Sequence, residues 1–69
     1  MKLSARDILH GTVVEVTRGS TTAHVKIDVG QGVIVTASIT NEAVDELSLA
    51  KGDKAAAIIK ASDVLVGKP

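Results

Sequence analysis

The chain contains no cysteine, so no disulfide can staple it and no thiolate can ligate a metal. Its two histidines, His10 and His24, are too few and too far apart for a metal cage, and no metal-cation site is expected. There is no Phe, Tyr or Trp, which removes the side chains of largest buried area and the ring faces on which single-stranded bases stack. Net charge is lacking too. Eight basic residues balance eight acidic ones, which leaves no general electrostatic footprint for nucleic acid or a membrane surface. No segment approaches the roughly 20 apolar residues that cross a bilayer. The start, Met1-Lys2-Leu3-Ser4-Ala5-Arg6-Asp7, lacks the apolar stretch of a signal peptide. These absences lead us to expect a cytoplasmic protein that binds neither membrane nor nucleic acid.

What is present is a short aliphatic chain. Its 69 residues make one small domain, 1–69, whose apolar content is Val, Ile, Leu and Ala. Domains of this size bury a modest share of their surface and keep a thin stability margin. Small scaffolds usually add disulfides, a structural metal or a partner subunit. The first two are excluded here, so a homo-oligomer is expected. The run Ala55-Ala56-Ala57 either lets backbones of different subunits approach closely or fills a narrow barrel interior.

From Thr22 to Val29, apolar Ala23, Val25, Ile27 and Val29 alternate with polar Thr22, His24, Lys26 and Asp28, the period of a half-buried antiparallel strand. The alternation resumes with Val33, Val35, Ala37 and Ile39 on one side and Thr36, Ser38 and Thr40 on the other. Gly30-Gln31-Gly32 is the hairpin connection between them. Upstream, Thr12 to Thr17 is β-branched and apolar except at Glu15, and Arg18-Gly19-Ser20 is a turn signal. Downstream, Asn41 to Leu47 reads as a two-turn helix capped by Thr40 or Asn41, with Glu42 in the first turn and Val44 and Leu47 packed inward. Lys54 to Lys60 predicts a fourth strand and Val64-Leu65-Val66 a short fifth. The fold class is therefore all-β: a five-stranded OB-like barrel with one short helix before the fourth strand. An open sandwich is the alternative, disfavoured because closing the barrel removes exposed edges.

No nucleophile elbow, phosphate loop, zinc-protease helix or dinucleotide fingerprint is present, and no catalytic residue is expected. Asp45-Glu46 reads as a solvated helix face and His24 as a surface or interface residue. Two clusters differ in kind. Ser4-Ala5-Arg6 near the start and Lys60-Ala61-Ser62 after the fourth strand each set a cation beside a hydroxyl and small residues whose amides can be approached closely. Arg and Lys donate hydrogen bonds and accept none, so both clusters suit an anion. Gly19-Ser20-Thr21-Thr22 is a hydroxyl-rich turn whose amides are candidates for a second type of anion site. The other reading of these residues is plain: solvated charges at element ends and serines acting as caps.

Taken in order, several segments resemble the molbindin family, also called Mop domains, part of the wider TOBE group. They are Ser-Ala-Arg-Asp at 4–7, Leu-x-Gly-x-Val-Val from Leu9 to Val14, Thr36-Ala-Ser-Ile-Thr40, Val44-Asp-Glu-Leu47, and Ala57-Ile-Ile-Lys-Ala-Ser-Asp-Val-Leu-Val-Gly67. The likeness runs along nearly the whole chain. It implies an OB-like barrel that exchanges an N-terminal strand within a dimer, with three dimers in a hexamer. It implies molybdate or tungstate bound between subunits by Ser4, Ala5, Arg6, Lys60, Ala61 and Ser62, with no organic cofactor and a role in storage and homeostasis. A second type of site near a three-fold axis falls on Gly19, Ser20, Thr21 and Thr22. One position departs from the family pattern: Asp7 stands where Asn is usual, and a carboxylate must turn away from a dianion, to pair Arg6 or to cap an amide.

The chemistry suits that ligand. Molybdate near neutral pH is a deprotonated tetrahedral dianion, acceptor-only, and a donor-only site matches it. Phosphate keeps a proton on much of its population and profits from an acceptor such as Asp. Burying a dianion needs several charge-assisted hydrogen bonds to replace its water, more than one short chain supplies. Related domains also serve as sensors in molybdate transporters and regulators. This chain shows neither a nucleotide-binding loop nor a helix-turn-helix, so sensing or delivery is the second choice and an OB-type nucleic-acid module the third.

Overall fold

The computed structural model describes residues 2–69. The segments with period-two alternation become strands, and they pair as the turns between them dictate. In chain order the elements are β1 (Asp7–Arg18), β2 (Thr22–Gly30), β3 (Val33–Thr40), α1 (Asn41–Leu47) and β4 (Lys54–Ile59), then a single 3-10 turn, Ala61–Asp63. The strands form one antiparallel sheet in the order β3-β2-β1-β4. Four strands, not five, make this sheet. Val64–Val66 is not a strand here, because no neighbouring strand within the chain takes it as a partner. Lys60, expected in β4, lies one residue past its end.

β1 begins five residues earlier than the alternation suggested and serves two partners. Its first half pairs with β4, from Asp7↔Ile59 to Thr12↔Lys54, and its second half with β2, from Thr12↔Asp28 to Arg18↔Ala23. A bulge between Val13 and Glu15 bends the strand between these two duties. Next to the bulge, the Val13 amide donates to the Asp53 carbonyl at 2.8 Å, and the Gly52 amide donates to the Val13 carbonyl at 2.7 Å. The sheet therefore curls into a half-barrel, with β3 and β4 as its open edges.

Inside the curl lies a small core of Val13, Ala23, Val25, Ile27, Val44 and Ala57. The alternation in β2 is obeyed strictly: Ala23, Val25 and Ile27 are buried while His24 and Lys26 are exposed. Thr40 is the helix cap, its Oγ1 accepting from the Ala43 amide at 3.0 Å. Asn41 instead ties the helix to the β1–β2 turn. Its backbone amide donates to the Thr21 carbonyl at 2.9 Å and its Nδ2 to the Gly19 carbonyl at 3.0 Å.

Of the two helix residues expected to pack inward, Val44 is buried but Leu47 is 66% exposed. Ser48 turns into the left-handed region at φ 50°, ending the helix. Its successor Leu49 then packs against the core, its amide donating to the Val44 carbonyl at 3.1 Å.

Gly11 sits in β1 where a Cβ would lie 2.3 Å from the Asp28 carbonyl oxygen and 2.9 Å from the Ile27 side chain. Overpacking against a rigid neighbour costs about 1–3 kcal/mol, a large share of the margin of so small a domain. Gly11→Ala should lower the urea midpoint, by a shift equivalent to an unfolding free energy near the top of that range. Gly67→Ala, whose Cβ meets nothing within 4 Å, should leave it unchanged. Equal midpoints for the two variants would contradict the close approach. Thr40→Ala removes the cap and should cost about 1 kcal/mol in the same assay.

Candidate functional site

The β1–β4 ladder positions the two donor clusters. Its last pair is Asp7↔Ile59, and Arg6 and Lys60 are the next residue on each strand. Ser4–Arg6 runs up to β1, and Lys60–Ser62 leaves β4 into the 3-10 turn, both from that last pair. Segments separated by more than fifty positions in sequence thus adjoin the same end of the sheet. Ser4, Arg6, Lys60, Ala61 and Ser62 are exposed there, and Ala5 is half-buried.

None of the four polar side chains in these clusters is committed. Among the described residues, Arg18 bonds to Asp45, Lys26 pairs with Glu15 at 3.4 Å and Lys54 reaches Thr12 Oγ1 at 3.5 Å. Ser4, Arg6, Lys60 and Ser62 have no side-chain hydrogen bond or ion pair with another described residue. The expectation that the serines serve as caps fails for Ser62, which lies inside the 3-10 turn whose first residue follows Lys60 and which has no side-chain cap. That turn uses the carbonyls of Lys60 and Ala61, which accept from the amides of Asp63 at 2.9 Å and Val64 at 3.2 Å. The amides of Ala61 and Ser62 have no such backbone partner among the described residues. Among the described residues, the four polar side chains are left without an internal partner.

Asp7 behaves differently from either role expected of it. It neither pairs with Arg6 nor accepts from a backbone amide among the described residues. It is the first residue of β1, half-buried and held by the ladder opposite Ile59. Asp7 and Arg6 are consecutive, and alternation along an extended chain sends consecutive side chains to opposite sides.

Gly19, Ser20, Thr21 and Thr22 lie at the opposite end of β1, in the turn to β2. The Gly19 amide donates to the Thr22 carbonyl at 2.7 Å, so this amide is occupied by the turn itself. The carbonyls of Gly19 and Thr21 are taken by Asn41. Beside the turn is a shallow pocket of about 220 Å³ lined by Thr17, Arg18, Gly19, Thr22 and His24. Asn41 Oδ1 is buried with no partner among the described residues, an acceptor that suits a water donor. Arg18, the cation at this pocket, is held by Asp45. Arg18 and His24 were not singled out as ligand-facing from the sequence; only the turn geometry brings them together.

No group of three or more His, Asp or Glu side chains capable of holding a cation occurs among the described residues. No helix among them is long and apolar enough to cross a membrane.

Comparison with known proteins agrees with this architecture. Residues 3–66 match the TOBE domain. A relative from Haemophilus influenzae named "Probable molybdenum-pterin-binding protein" is 48% identical over 67 residues, 97% of each chain. The solved structure of a molybdate-binding protein from Sporomusa ovata superposes with a TM-score of 0.92 at 38% identity, covering 99% of this chain and 100% of that one. The cytoplasmic molybdate-binding protein ModG, in a crystal form with molybdate bound, superposes with a TM-score of 0.95 at 45% identity, and this chain spans 49% of that one. The chain belongs to the TOBE domain family, among its Mop-type members.

Proposed function

We propose that this chain binds molybdate, and that it does so through the donors gathered at the Asp7–Ile59 end of the β1–β4 ladder. The observation that carries the reading is that Ser4–Arg6 and Lys60–Ser62 flank the last ladder pair, and that their polar side chains have no partner among the described residues. Relatives named for molybdenum-pterin binding and solved molybdate-binding structures of the same fold support the choice of anion. In this reading Arg6 and Lys60 supply charge, Ser4 and Ser62 supply hydroxyls, and Ala5 and Ala61 let the anion reach backbone amides. Tungstate has the same charge and shape and fits the same donors. No organic cofactor is needed for any of these contacts.

Electrostatics explains why Asp7 must stay aside. At an effective dielectric near 20, a carboxylate 4 Å from a dianion is repelled by about 8 kcal/mol, enough to cancel the attraction of one cation at the same distance. Its place within the ladder, half-buried opposite Ile59, is the means by which it is kept back.

The whole chain, 1–69, acts as one oxyanion-binding unit in this reading, and the anion is completed by a second subunit. The donors found on one chain are exposed, and a dianion needs water excluded around it before charge-assisted bonds hold it tightly. A hexamer of three dimers, with N-terminal residues ahead of β1 exchanged within each dimer, supplies that enclosure. The Gly19–Thr22 turn and its pocket form a second, weaker anion site, where Arg18 must first leave Asp45. Storage and buffering of the anion in the cytoplasm is the physiological role.

Each charge-assisted hydrogen bond lost should cost about 1.5–3 kcal/mol, or roughly 10- to 100-fold in affinity. Calorimetry with molybdate should therefore show Arg6→Ala and Lys60→Ala binding 10- to 100-fold more weakly at the main site, with unchanged circular dichroism. Two variants that bind like wild type would sink the assignment. Native mass spectrometry should find six chains, with molybdenum bound in proportion to added molybdate. A monomer that binds the anion equally well would remove the need for a shared site.

A further inference from the structure

The outer face of the β1–β4 ladder carries a polar cluster that the molybdate reading leaves unused. Thr12 pairs with Lys54, and His10 with Ala56. Residues opposite one another across a ladder share a face, as do alternate residues along a strand, so His10, Thr12 and Lys54 emerge on one side. Their neighbours Val13 and Ala57 point the other way, into the core. The three side chains border a shallow pocket of about 440 Å³, whose other lining residues are Gly11 and Ala55. Alanine across from His10 and glycine beside it leave space over the strands.

The hydrogen-bonding capacity of this pocket is largely unspent. Lys54 Nζ donates to Thr12 Oγ1 at 3.5 Å, which leaves the threonine proton and two ammonium protons to donate elsewhere. His10 has no side-chain partner among the described residues. No carboxylate lines the pocket, and Lys54 is in no ion pair among the described residues. The nearby acids are engaged. Asp53 Oδ2 accepts from the Ala50 amide at 2.9 Å, and Glu15 pairs with Lys26 at 3.4 Å. Asp28 faces Thr12 from β2, its Oδ1 accepting from the Gly30 amide at 2.8 Å.

We infer that His10, Thr12 and Lys54 form a separate binding site for inorganic phosphate. An ammonium, a hydroxyl and an imidazole together suit a tetrahedral oxyanion. What separates this site from the Arg6 and Lys60 donors is acceptor capacity. A neutral imidazole accepts through one ring nitrogen, whereas Arg and Lys accept nothing. Phosphate near neutral pH has a proton to donate to that nitrogen; molybdate and sulfate have none. The charge of Asp28 works in the same direction, because it repels a full dianion more than the singly charged form of phosphate. None of these residues belongs to the molybdate donors, so the inference stands apart from that reading and gives the two anions separate places on one chain.

The test uses the ring resonances of the chain's two histidines in proton NMR, with His10→Gln identifying which belong to His10. Added phosphate should move the His10 resonances saturably. Lys54→Ala should raise the half-saturating concentration about 10-fold or more, the effect of losing one charge-assisted hydrogen bond. Lys68→Ala, the same change of charge near the end of the chain, should not raise it. Sulfate, alike in shape but without a proton, should need about 10-fold more than phosphate. The double variant Arg6→Ala/Lys60→Ala should keep the phosphate response, which separates this site from the molybdate assignment. His10 resonances that do not respond saturably, or an unchanged half-saturation in Lys54→Ala, would overturn the site. Sulfate acting at the same concentration as phosphate would overturn the choice of ligand, and loss of the response in the double variant would overturn its independence.

Discussion

Everything in this fold hangs on one crowded point, where Gly11 lets β1 pass against the Asp28 carbonyl of β2. β1 must serve β4 before that point and β2 after it, and it can do both only by bending sharply. A side chain at position 11 would hold the strands apart, and the curl would open. The bulge at Val14 and the bonds from Val13 to the Gly52–Asp53 turn then complete the bend. The core is small because the curl is tight: six aliphatic side chains fill it, and none is larger than isoleucine. That leaves little internal surface to stabilise a lone chain.

The same bend places the functional ends. Because β1 is a single strand with two partners, its first residues stand beside the last residues of β4 and its final residues beside the helix. Ser4–Arg6 and Lys60–Ser62 therefore adjoin the same end of the ladder, and the Gly19–Thr22 turn is fastened by Asn41 at the far end. Free charge at one end and paired charge at the other is a clear division. Arg18 is satisfied by Asp45, whereas Arg6 and Lys60 have no carboxylate partner among the described residues.

The hairpin from Thr22 to Thr40 was legible in the sequence because one of its faces is buried and the other wet, and alternation records that difference residue by residue. β1 was legible only in its second half. Ile8-Leu9-His10-Gly11 shows no alternation, and its glycine reads as a break although the structure needs it within the strand. Leu47 was misplaced for a local reason: Ser48 adopts a left-handed turn, and Leu49 takes the core position that helical spacing assigned to Leu47. The fifth strand was read from a short apolar run that finds no partner strand in one chain. The members of each donor cluster could be named from residue type. Their placement at one end of the sheet could not, because it follows from backbone pairing between positions far apart.

That register has a consequence for how such a chain can change over time. In the β1–β4 ladder, substitutions at exposed positions leave the pairing intact, but adding or deleting one residue between Asp7 and Gly11 would reverse the face of every side chain beyond it. Arg6 would then point where Asp7 now does, and the carboxylate would take its place. Lineages of this protein are thus free to drift in composition along the ladder while being held to a fixed count of residues in it, and length variation should collect in the turns after β2 and before β4.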